Sequence, residues 1–167
     1  LIQQTNHELK HTVISLTGSG KYKSLFQNEG IKVYCLELSK YNFLVRFFRL
    51  ILIIRAIKPN AVQTWLYHAD FLGGIACLLA RQKNLYWGIR QADFDFERVK
   101  FSMRLLMKGC AIISRVLPKA HISCANAAIL SHKKIGYGGK FIVIPNGYDT
   151  EYLRPFSPER EKIIHPS

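Results

Sequence analysis

The sequence predicts an α/β fold: a Rossmann-like, mainly parallel sheet with helices on both faces. Short, continuous apolar runs alternate with helical segments along the chain, and strands that are apolar throughout are typical of a parallel sheet covered on both faces. The length of 167 residues fits one domain with a full core. Hydrophobic residues make up 49% and charged residues 21% of the chain, which excludes a disordered protein.

The first part of the chain alternates between helix and strand, with glycines and a proline at the boundaries. The predicted elements are the end of a helix over Leu1–His11, a strand over His11–Thr17, a helix over Lys21–Asn28, a strand over Ile31–Leu38, a helix over Asn42–Lys58 and a strand over Ala61–Trp65. The second helix closes near Gly30. Pro59 ends the third, because proline has no N–H and clashes with the preceding turn.

The alternation continues through the second part. The predicted elements are a helix over Ala69–Arg81, a strand over Leu85–Ile89, a helix over Phe96–Leu117, a strand over Ala120–Cys124, a helix over Ala125–Ile135 and a strand over Phe141–Ile144. Pro118 ends the helix over Phe96–Leu117, and Gly136 ends the helix over Ala125–Ile135. The domain is predicted to extend over residues 1–155, and the proline- and charge-rich residues 156–167 predict the start of a linker.

The chain is strongly basic, with 24 Lys and Arg against 11 Asp and Glu and a formal net charge of +13. This balance suits nucleic acid, an anionic membrane or phosphorylated ligands without choosing among them. At about 100° per residue, one helix stripe carries Lys100, Arg104, Lys108 and Arg115. Apolar residues are expected opposite it, namely Leu105, Leu106, Cys110, Ile113, Val116 and Leu117. The stripe is either a solvated face or a contact for anionic lipid headgroups.

The helix over Asn42–Lys58 has a different pattern, because apolar residues surround it and its arginines scatter. It is either well buried, with arginines that reach solvent, or partly buried against a membrane or a partner. Its apolar stretch, Phe43–Ile57, contains three arginines, which excludes a spanning helix of about 20 apolar residues.

The four cysteines, Cys35, Cys77, Cys110 and Cys124, form no C-x-x-C pair, and no histidine stands at a zinc-like spacing from them. We expect reduced thiols in a cytoplasmic protein. The segment Thr17–Tyr22 approaches a phosphate-binding P-loop, but Ser15 stands where its first glycine belongs and Tyr22 where its metal-binding hydroxyl belongs. No metal or other cofactor is therefore predicted.

Polar residues follow two predicted strands that should be neighbours. Tyr67, His68 and Asp70 come after the third strand, and Arg90, Gln91 and Asp93 come after the fourth. Ligands in open parallel sheets bind beyond the carboxyl ends of strands, so all six are expected to line one crevice. His68 can donate to or accept from a sugar hydroxyl, and Arg90 can hold a phosphate by two bonds.

Each of these residues also has a purely structural interpretation. His68 can be a satisfied structural histidine, and Arg90 can pair with Asp93 or Asp95. Asp70 can cap its helix or act on the helix dipole. The turn at Asn146-Gly147 is expected to hold Gly147 at positive φ, with the Asn146 side chain bonded to nearby backbone; this turn is either structural or a ligand contact.

Two segments resemble a known enzyme family. Ile142-Val-Ile-Pro-Asn-Gly-Tyr-Asp-Thr-Glu-Tyr-Leu-Arg-Pro155 resembles the I-P-N-G-[V/F]-D-x-x-x-F-x-P signature of family-four retaining glycosyltransferases. Lys58-Pro-Asn-Ala-Val-Gln-Thr-Trp-Leu-Tyr-His-Ala-Asp-Phe-Leu-Gly-Gly74 and Trp87-Gly-Ile-Arg90 resemble stretches of one branch of that family. The resemblance covers nearly the whole chain, with the segments in the family's order.

The resemblance implies the N-terminal, acceptor-side half of a GT-B fold, whose first strand would precede Leu1 and whose donor domain would follow Pro155. It implies transfer of a hexosyl unit, with retention, from a nucleotide-sugar donor to a glycan or lipid-linked acceptor, without a metal, as in bacterial polysaccharide or lipopolysaccharide synthesis. It implies a cytoplasmic protein, either free or peripheral at the inner face of the cell membrane, and inactivity of this half alone. Arg90 and His68 are then the catalytic candidates, and Tyr67, Asp70, Gln91, Asp93, Asn146 and Gly147 the substrate-binding candidates.

Two alternatives stay open. One is a basic nucleic-acid-binding domain, although no nucleic-acid-binding signature occurs in the sequence. The other is a catalytically silent, membrane-associated domain of the same fold.

Overall fold

Strands and helices alternate strictly over the residues that the structure describes, 8–91 and 99–147 of a computed structural model. The elements are β1 Thr12–Ser15, α1 Lys23–Asn28, β2 Lys32–Cys35, α2 Phe43–Ile57, β3 Val62–Trp65, α3 Tyr67–Leu79, β4 Leu85–Ile89, α4 Phe101–Ile113, β5 Ala120–Ser123, α5 Asn126–Ile135 and β6 Phe141–Val143. The α/β prediction is thereby confirmed. The linker predicted over 156–167, the domain end at 155 and residues 1–7 of the first predicted helix lie outside the described residues.

Every strand pairing in the described chain is parallel. β1 pairs with β2, and β3, β4, β5 and β6 form a four-stranded sheet in that order. Thr64 of β3 lies opposite Trp87 of β4, which lies opposite His121 of β5. Because the strands are parallel, the carboxyl ends of all four lie at the same edge of the larger sheet.

Glycines let α3 approach both the sheet and α4. A Cβ at Gly73 would lie 2.9 Å from Cγ2 of Thr64, and a Cβ at Gly109 of α4 would lie 3.1 Å from Cε2 of Phe71. Helix α3 contacts α2 on one side and α4 on the other, and α4 contacts α5. The helices α2 to α5 therefore form a continuous layer with α3 in its middle.

The core lies between this helix layer and the larger sheet. Leu85 and Trp87 of β4 are at most 1% exposed and meet Cys77 of α3 and Cys110 of α4. His121 is fully buried among aromatic rings, 4.7 Å from the ring centroid of Phe141 and 5.4 Å from that of Trp87. All four cysteines are free thiols, two of them buried.

Two predicted helix ends have a clear physical cause. Gly30 (φ +72°) follows α1 and Gly136 (φ +109°) follows α5, and both adopt the left-handed conformation that lets a chain leave a helix. Lys58 (φ +48°) adopts the same conformation at the end of α2, directly before Pro59. No helix among the described residues is both long and apolar enough to cross a bilayer.

Candidate functional site

The carboxyl edge of the larger sheet gathers most of the predicted site residues. Arg90 directly follows β4, His68 lies in the first turn of α3 after β3, and Asn146 lies three residues beyond β6. All three are exposed. Residues from three separate strand ends therefore reach solvent at one edge, as the parallel topology predicts.

Arg90 and Asn146 are joined directly. Nη1 of Arg90 donates a hydrogen bond to Oδ1 of Asn146 over 2.5 Å. The bond spans from the end of β4 to the loop after β6, across the end of β5 between them. It links the W-G-I-R segment to the I-P-N-G segment and holds a permanent positive charge at the edge.

Gln91, next to Arg90, is also exposed. Two further residues lie outside the described part of the chain: Asp93, a predicted site residue, and Asp95. Both carboxylates are the salt-bridge partners considered for Arg90. His68 is exposed on the first turn of α3.

Tyr67 points into the helix layer. Nδ1 of His132 lies 2.9 Å from the carbonyl of Ala128 and must donate to it. Nε2 of His132 is then the acceptor for the Tyr67 hydroxyl, at 3.1 Å. His132 is 3% exposed, and burial lowers its pKa. The Tyr67 phenol thus ties α3 to α5, which is a structural role.

Asp70 is 5% exposed, and its Oδ1 accepts a hydrogen bond from the Thr64 hydroxyl over 2.5 Å. Burial raises the pKa of its carboxyl from 3.8 to about 7, while the bond from Thr64 acts in the opposite direction. Of the two structural alternatives, the cap is not formed, because α3 begins at Tyr67 and Leu66 occupies the N-cap position. Asp70 lies in the first turn of α3, where an acidic residue faces the positive end of the helix dipole. Asp70 also joins the first turn of α3 to β3.

Leu66 is a feature of this edge that sequence reasoning missed. It has φ +73° and ψ +148°, a conformation strained for a residue with a side chain, and it is 70% exposed. Its carbonyl accepts from the N–H of Asp70. This turn starts α3 immediately after β3 and places His68 at the sheet edge. Nothing in the sequence marks it, because glycine is the residue expected there.

Gly147 departs from its prediction. Its φ lies outside the left-handed region, and a Cβ there would meet no atom within 4 Å. The side-chain oxygen of Asn146 accepts a hydrogen bond from Arg90 rather than from nearby backbone. Neither the backbone conformation of Gly147 nor the space around it therefore requires glycine at this position.

Comparison with known proteins shows the fold. Two solved structures of HepE (Alr3699) from Anabaena, one in complex with UDP and one with UDP and glucose, superpose on this chain with TM-scores of 0.70. Their sequences are 15% and 16% identical to it, over 92% and 98% of this chain. The chain spans only 40% and 43% of the HepE chain. No family model and no curated protein matches the sequence.

The basic stripe is less regular than predicted. Helix α4 runs from Phe101 to Ile113, so Lys100 precedes it and Arg115 follows it. The aliphatic part of Arg115 lies against Gly138, where a Cβ would be 2.7 Å from Cγ. Lys108 is exposed, and Nε of Arg104 donates to the carbonyl of Val99 over 3.0 Å.

The prediction for the apolar side of α4 is also wrong in part. Leu105 and Val116, predicted to lie opposite the cations, are 63% and 81% exposed. Val116 lies beyond the end of α4, where helical spacing no longer applies.

The described residues contain no cluster of three or more metal-ligating side chains. What the edge presents instead is a guanidinium, an imidazole and two side-chain amides.

Proposed function

We propose that this chain is the acceptor-side domain of a retaining, GT-B-type glycosyltransferase that moves a hexosyl unit from a nucleotide sugar to a glycan or lipid-linked acceptor. The observation that carries the proposal is the hydrogen bond from Arg90 to Asn146. It joins, at one sheet edge, two of the three stretches on which the family resemblance rests, Trp87–Arg90 and Ile142–Pro155. The likeness in fold to HepE, whose solved complexes hold UDP, supports the same function.

Arg90 is suited to stabilise a departing diphosphate. A nucleoside diphosphate gains negative charge as the sugar leaves, and a fixed cation at that position lowers the barrier without a metal. The guanidinium has five N–H donors in a fixed plane. Asn146 engages one of them, which orients the plane before the substrate binds. The charge is thus held in place in advance, and little reorganisation is needed during the reaction.

His68 is suited to hold the acceptor. Its exposed imidazole stands on the strained turn after β3, one strand away from Arg90. A neutral imidazole can accept a hydrogen bond from the acceptor hydroxyl and orient its oxygen towards the sugar carbon. Gln91 offers an amide to further sugar hydroxyls. In this proposal Arg90 serves the leaving group and His68 serves the nucleophile.

The donor sugar and its nucleotide would be held mainly by a second domain. This chain spans about two fifths of HepE, 40% in one structure, which agrees with one domain of a two-domain enzyme. Membrane contact through Lys100, Arg104, Lys108 and Arg115 at the cytoplasmic face also belongs to the proposal. It would bring the edge of the sheet near lipid-linked acceptors.

Nuclear magnetic resonance with UDP as the probe tests the site. UDP should shift the amide resonances of residues 88–91 and 144–147, with weak affinity for one domain, and Arg90→Ala should abolish the shifts. The matched control is Arg81→Ala, which removes an exposed arginine at the opposite end of β4 and should leave the shifts unchanged. Shifts confined to other regions, or unaffected by Arg90→Ala, would contradict the proposal.

A further inference from the structure

The two tryptophans of the chain stand on neighbouring strands and have opposite surroundings. Trp87 of β4 is fully buried and belongs to the core cluster with Cys77. Trp65, the last residue of β3, is 44% exposed. Thr64 lies opposite Trp87 in the sheet, and successive residues of a strand point to opposite faces. Trp65 therefore lies on the sheet face away from Trp87 and outside the core that Trp87 fills.

Gly88 of β4 makes room for the indole of Trp65. The two residues lie opposite each other in the sheet. A Cβ at Gly88 would lie 2.5 Å from Cδ1 and 2.6 Å from Nε1 of the indole, whereas heavy atoms in contact stand about 3.5–4.0 Å apart. The five-membered ring thus lies directly against the backbone of β4, two residues before Arg90. The rest of the side chain provides the exposed surface.

The backbone that follows Trp65 is strained. Leu66 has φ +73° and is 70% exposed. Conformations of this kind cost free energy and cluster at ligand sites, where the position of a side chain matters more than the local stability. The strained turn lies between Trp65 and His68, so it determines how far the indole and the imidazole stand apart at the carboxyl edge of the sheet.

An exposed indole on a strand, with polar side chains beside it, suits a carbohydrate. The face of an aromatic ring carries partial negative charge, and a pyranose ring presents weakly positive, apolar C–H groups on its face. The hydroxyls around the sugar need hydrogen-bond partners, which the exposed His68, Arg90 and Gln91 can supply. Small-molecule sites combine an aromatic surface with a few polar groups in this way.

We propose that the indole of Trp65 is the platform on which a pyranose ring of the acceptor stacks, and that Gly88 is required to seat this indole. The proposal rests on the proposed function and deepens it, because it makes the acceptor a carbohydrate and gives its ring a place on β3. A nucleobase can also stack on an indole. The acceptor is favoured because Trp65 and His68, the residue proposed to hold the acceptor, follow the same strand.

Acrylamide quenching of tryptophan fluorescence tests the platform in the chain of 167 residues. Trp87 is fully buried, so the emission that acrylamide quenches comes from Trp65. The probes are tetrasaccharides of glucose, galactose, mannose or N-acetylglucosamine at millimolar concentration, and at least one of them should protect Trp65 from quenching. Uridine at the same concentration should not protect it. Protection by uridine alone, or by none of the probes, would overturn the proposal.

Nuclear magnetic resonance measures the affinity when the tryptophan is replaced. The protecting tetrasaccharide should shift the amide resonances of residues 64–68. Trp65→Leu should weaken its binding about tenfold, because leucine keeps apolar bulk but has no aromatic face. Trp65→Phe keeps a ring and should weaken it less. Equal affinities of Trp65→Leu and the parent would overturn the proposal.

The matched control is Phe48→Leu, which removes an aromatic ring that is 61% exposed. Phe48 lies on α2, where Leu44 and Leu52 are also exposed, and not at the end of a strand. This variant should bind the tetrasaccharide as the parent does. A loss equal to that of Trp65→Leu would show that any exposed ring has this effect and would contradict a defined platform.

Gly88→Ala tests the seat of the indole. The added methyl should displace the ring, make Trp65 more accessible to acrylamide and weaken the tetrasaccharide about as much as Trp65→Leu does. The control is Gly18→Ala, because a Cβ at Gly18 would meet no atom within 4 Å. A folded Gly88→Ala protein that binds the sugar as the parent does would overturn the role of Gly88.

The outcome can be separated from that of the glycosyltransferase proposal. Trp65→Leu should leave the UDP-induced shifts of residues 144–147 unchanged, because the nucleotide does not stack on the indole. Sugar binding at Trp65 without binding of UDP would support the platform and contradict the transferase. UDP binding that depends on Arg90, without protection of Trp65 by any of the sugars, would overturn the platform and support the transferase.

Discussion

Nη1 of Arg90 lies 2.5 Å from Oδ1 of Asn146, although 56 residues separate the two along the chain. The bond connects the loops after β4 and β6 above the end of β5. Each residue thereby restrains the other: the amide fixes the guanidinium plane, and the guanidinium holds the loop that follows β6. A cation positioned in this way can act on a ligand without first being ordered by it.

In an enzyme that contains this domain, Arg90→Ala should lower turnover about ten- to a hundred-fold, because a charge-assisted contact of about 1.5–3 kcal/mol is lost. Arg90→Lys should restore only part of the lost turnover, since an ammonium group lacks the planar fork of a guanidinium. Asn146→Ala should have a smaller effect in the same direction. Steady-state release of the nucleoside diphosphate measures all three, with Arg81→Ala as the control.

The double variant Arg90→Ala, Asn146→Ala should be no slower than Arg90→Ala, because the amide acts through the guanidinium. Fully additive losses would show that the hydrogen bond does not matter to catalysis. Lower melting temperatures with unchanged rates would show that both residues are structural.

The chain of 167 residues by itself should not transfer sugar, because the proposed donor-binding groups belong to another domain. The measurement is radiolabelled transfer from a panel of UDP-, GDP- and TDP-sugars to lipid extract, compared with heat-treated protein. Transfer above that blank would contradict the division of the site between two domains.

Asp70→Asn should change the pH dependence of stability. The folded state holds the Asp70 proton up to a pKa of about 7, and the unfolded state loses it near 3.8. The stabilisation by this group is thus complete at low pH and is lost as the pH rises through 7. The amide keeps an acceptor for Thr64 and carries no charge. The variant should therefore be more stable than the parent at about pH 8, by an amount on the order of 1–3 kcal/mol.

Urea unfolding at several pH values measures the free energy of unfolding of the variant and the parent. The greater stability of Asp70→Asn should shrink towards pH 4. The control is Glu37→Gln, which alters an exposed carboxylate and should leave the pH profile unchanged. If Asp70→Asn instead abolishes substrate binding at unchanged stability, Asp70 is the substrate ligand that the sequence suggested.

Tyr67→Phe should destabilise the fold by about 1–3 kcal/mol, because the buried Nε2 of His132 loses this donor. Tyr41→Phe removes a hydroxyl from an 88% exposed side chain and should change the free energy of unfolding by less than about 0.5 kcal/mol. Denaturant titration compares the two. A stable Tyr67→Phe protein with impaired substrate binding would favour the binding role instead.

Replacing Lys108 and Arg115 by glutamine should weaken binding to anionic vesicles mainly at low salt, by about fivefold per charge. Vesicle sedimentation at low and high ionic strength measures this loss of binding. Equal sedimentation of the protein with neutral and anionic vesicles would contradict a membrane role for the basic stripe.

Several features of the site could be predicted because they depend on local pattern. A strand end is marked by the end of an apolar run, so Arg90 and Asn146 could be assigned to the carboxyl edge. Leu66 could not be assigned, because it adopts a positive φ that local sequence signals only when the residue is glycine. The inward direction of Tyr67 also depends on His132, which is 65 residues away.

The sequence by itself determined the order of strands and helices, their approximate ends, the free thiols expected of unpaired cysteines and the excess of positive charge. These properties depend on neighbouring residues, since periodicity, glycine and proline act within a few positions of the chain. Only the tertiary structure decided that Asp70 is buried, that Arg90 meets Asn146, and that one apolar face of α2 stays in solvent. Burial and pairing depend on which distant surfaces meet, and local sequence pattern does not record that.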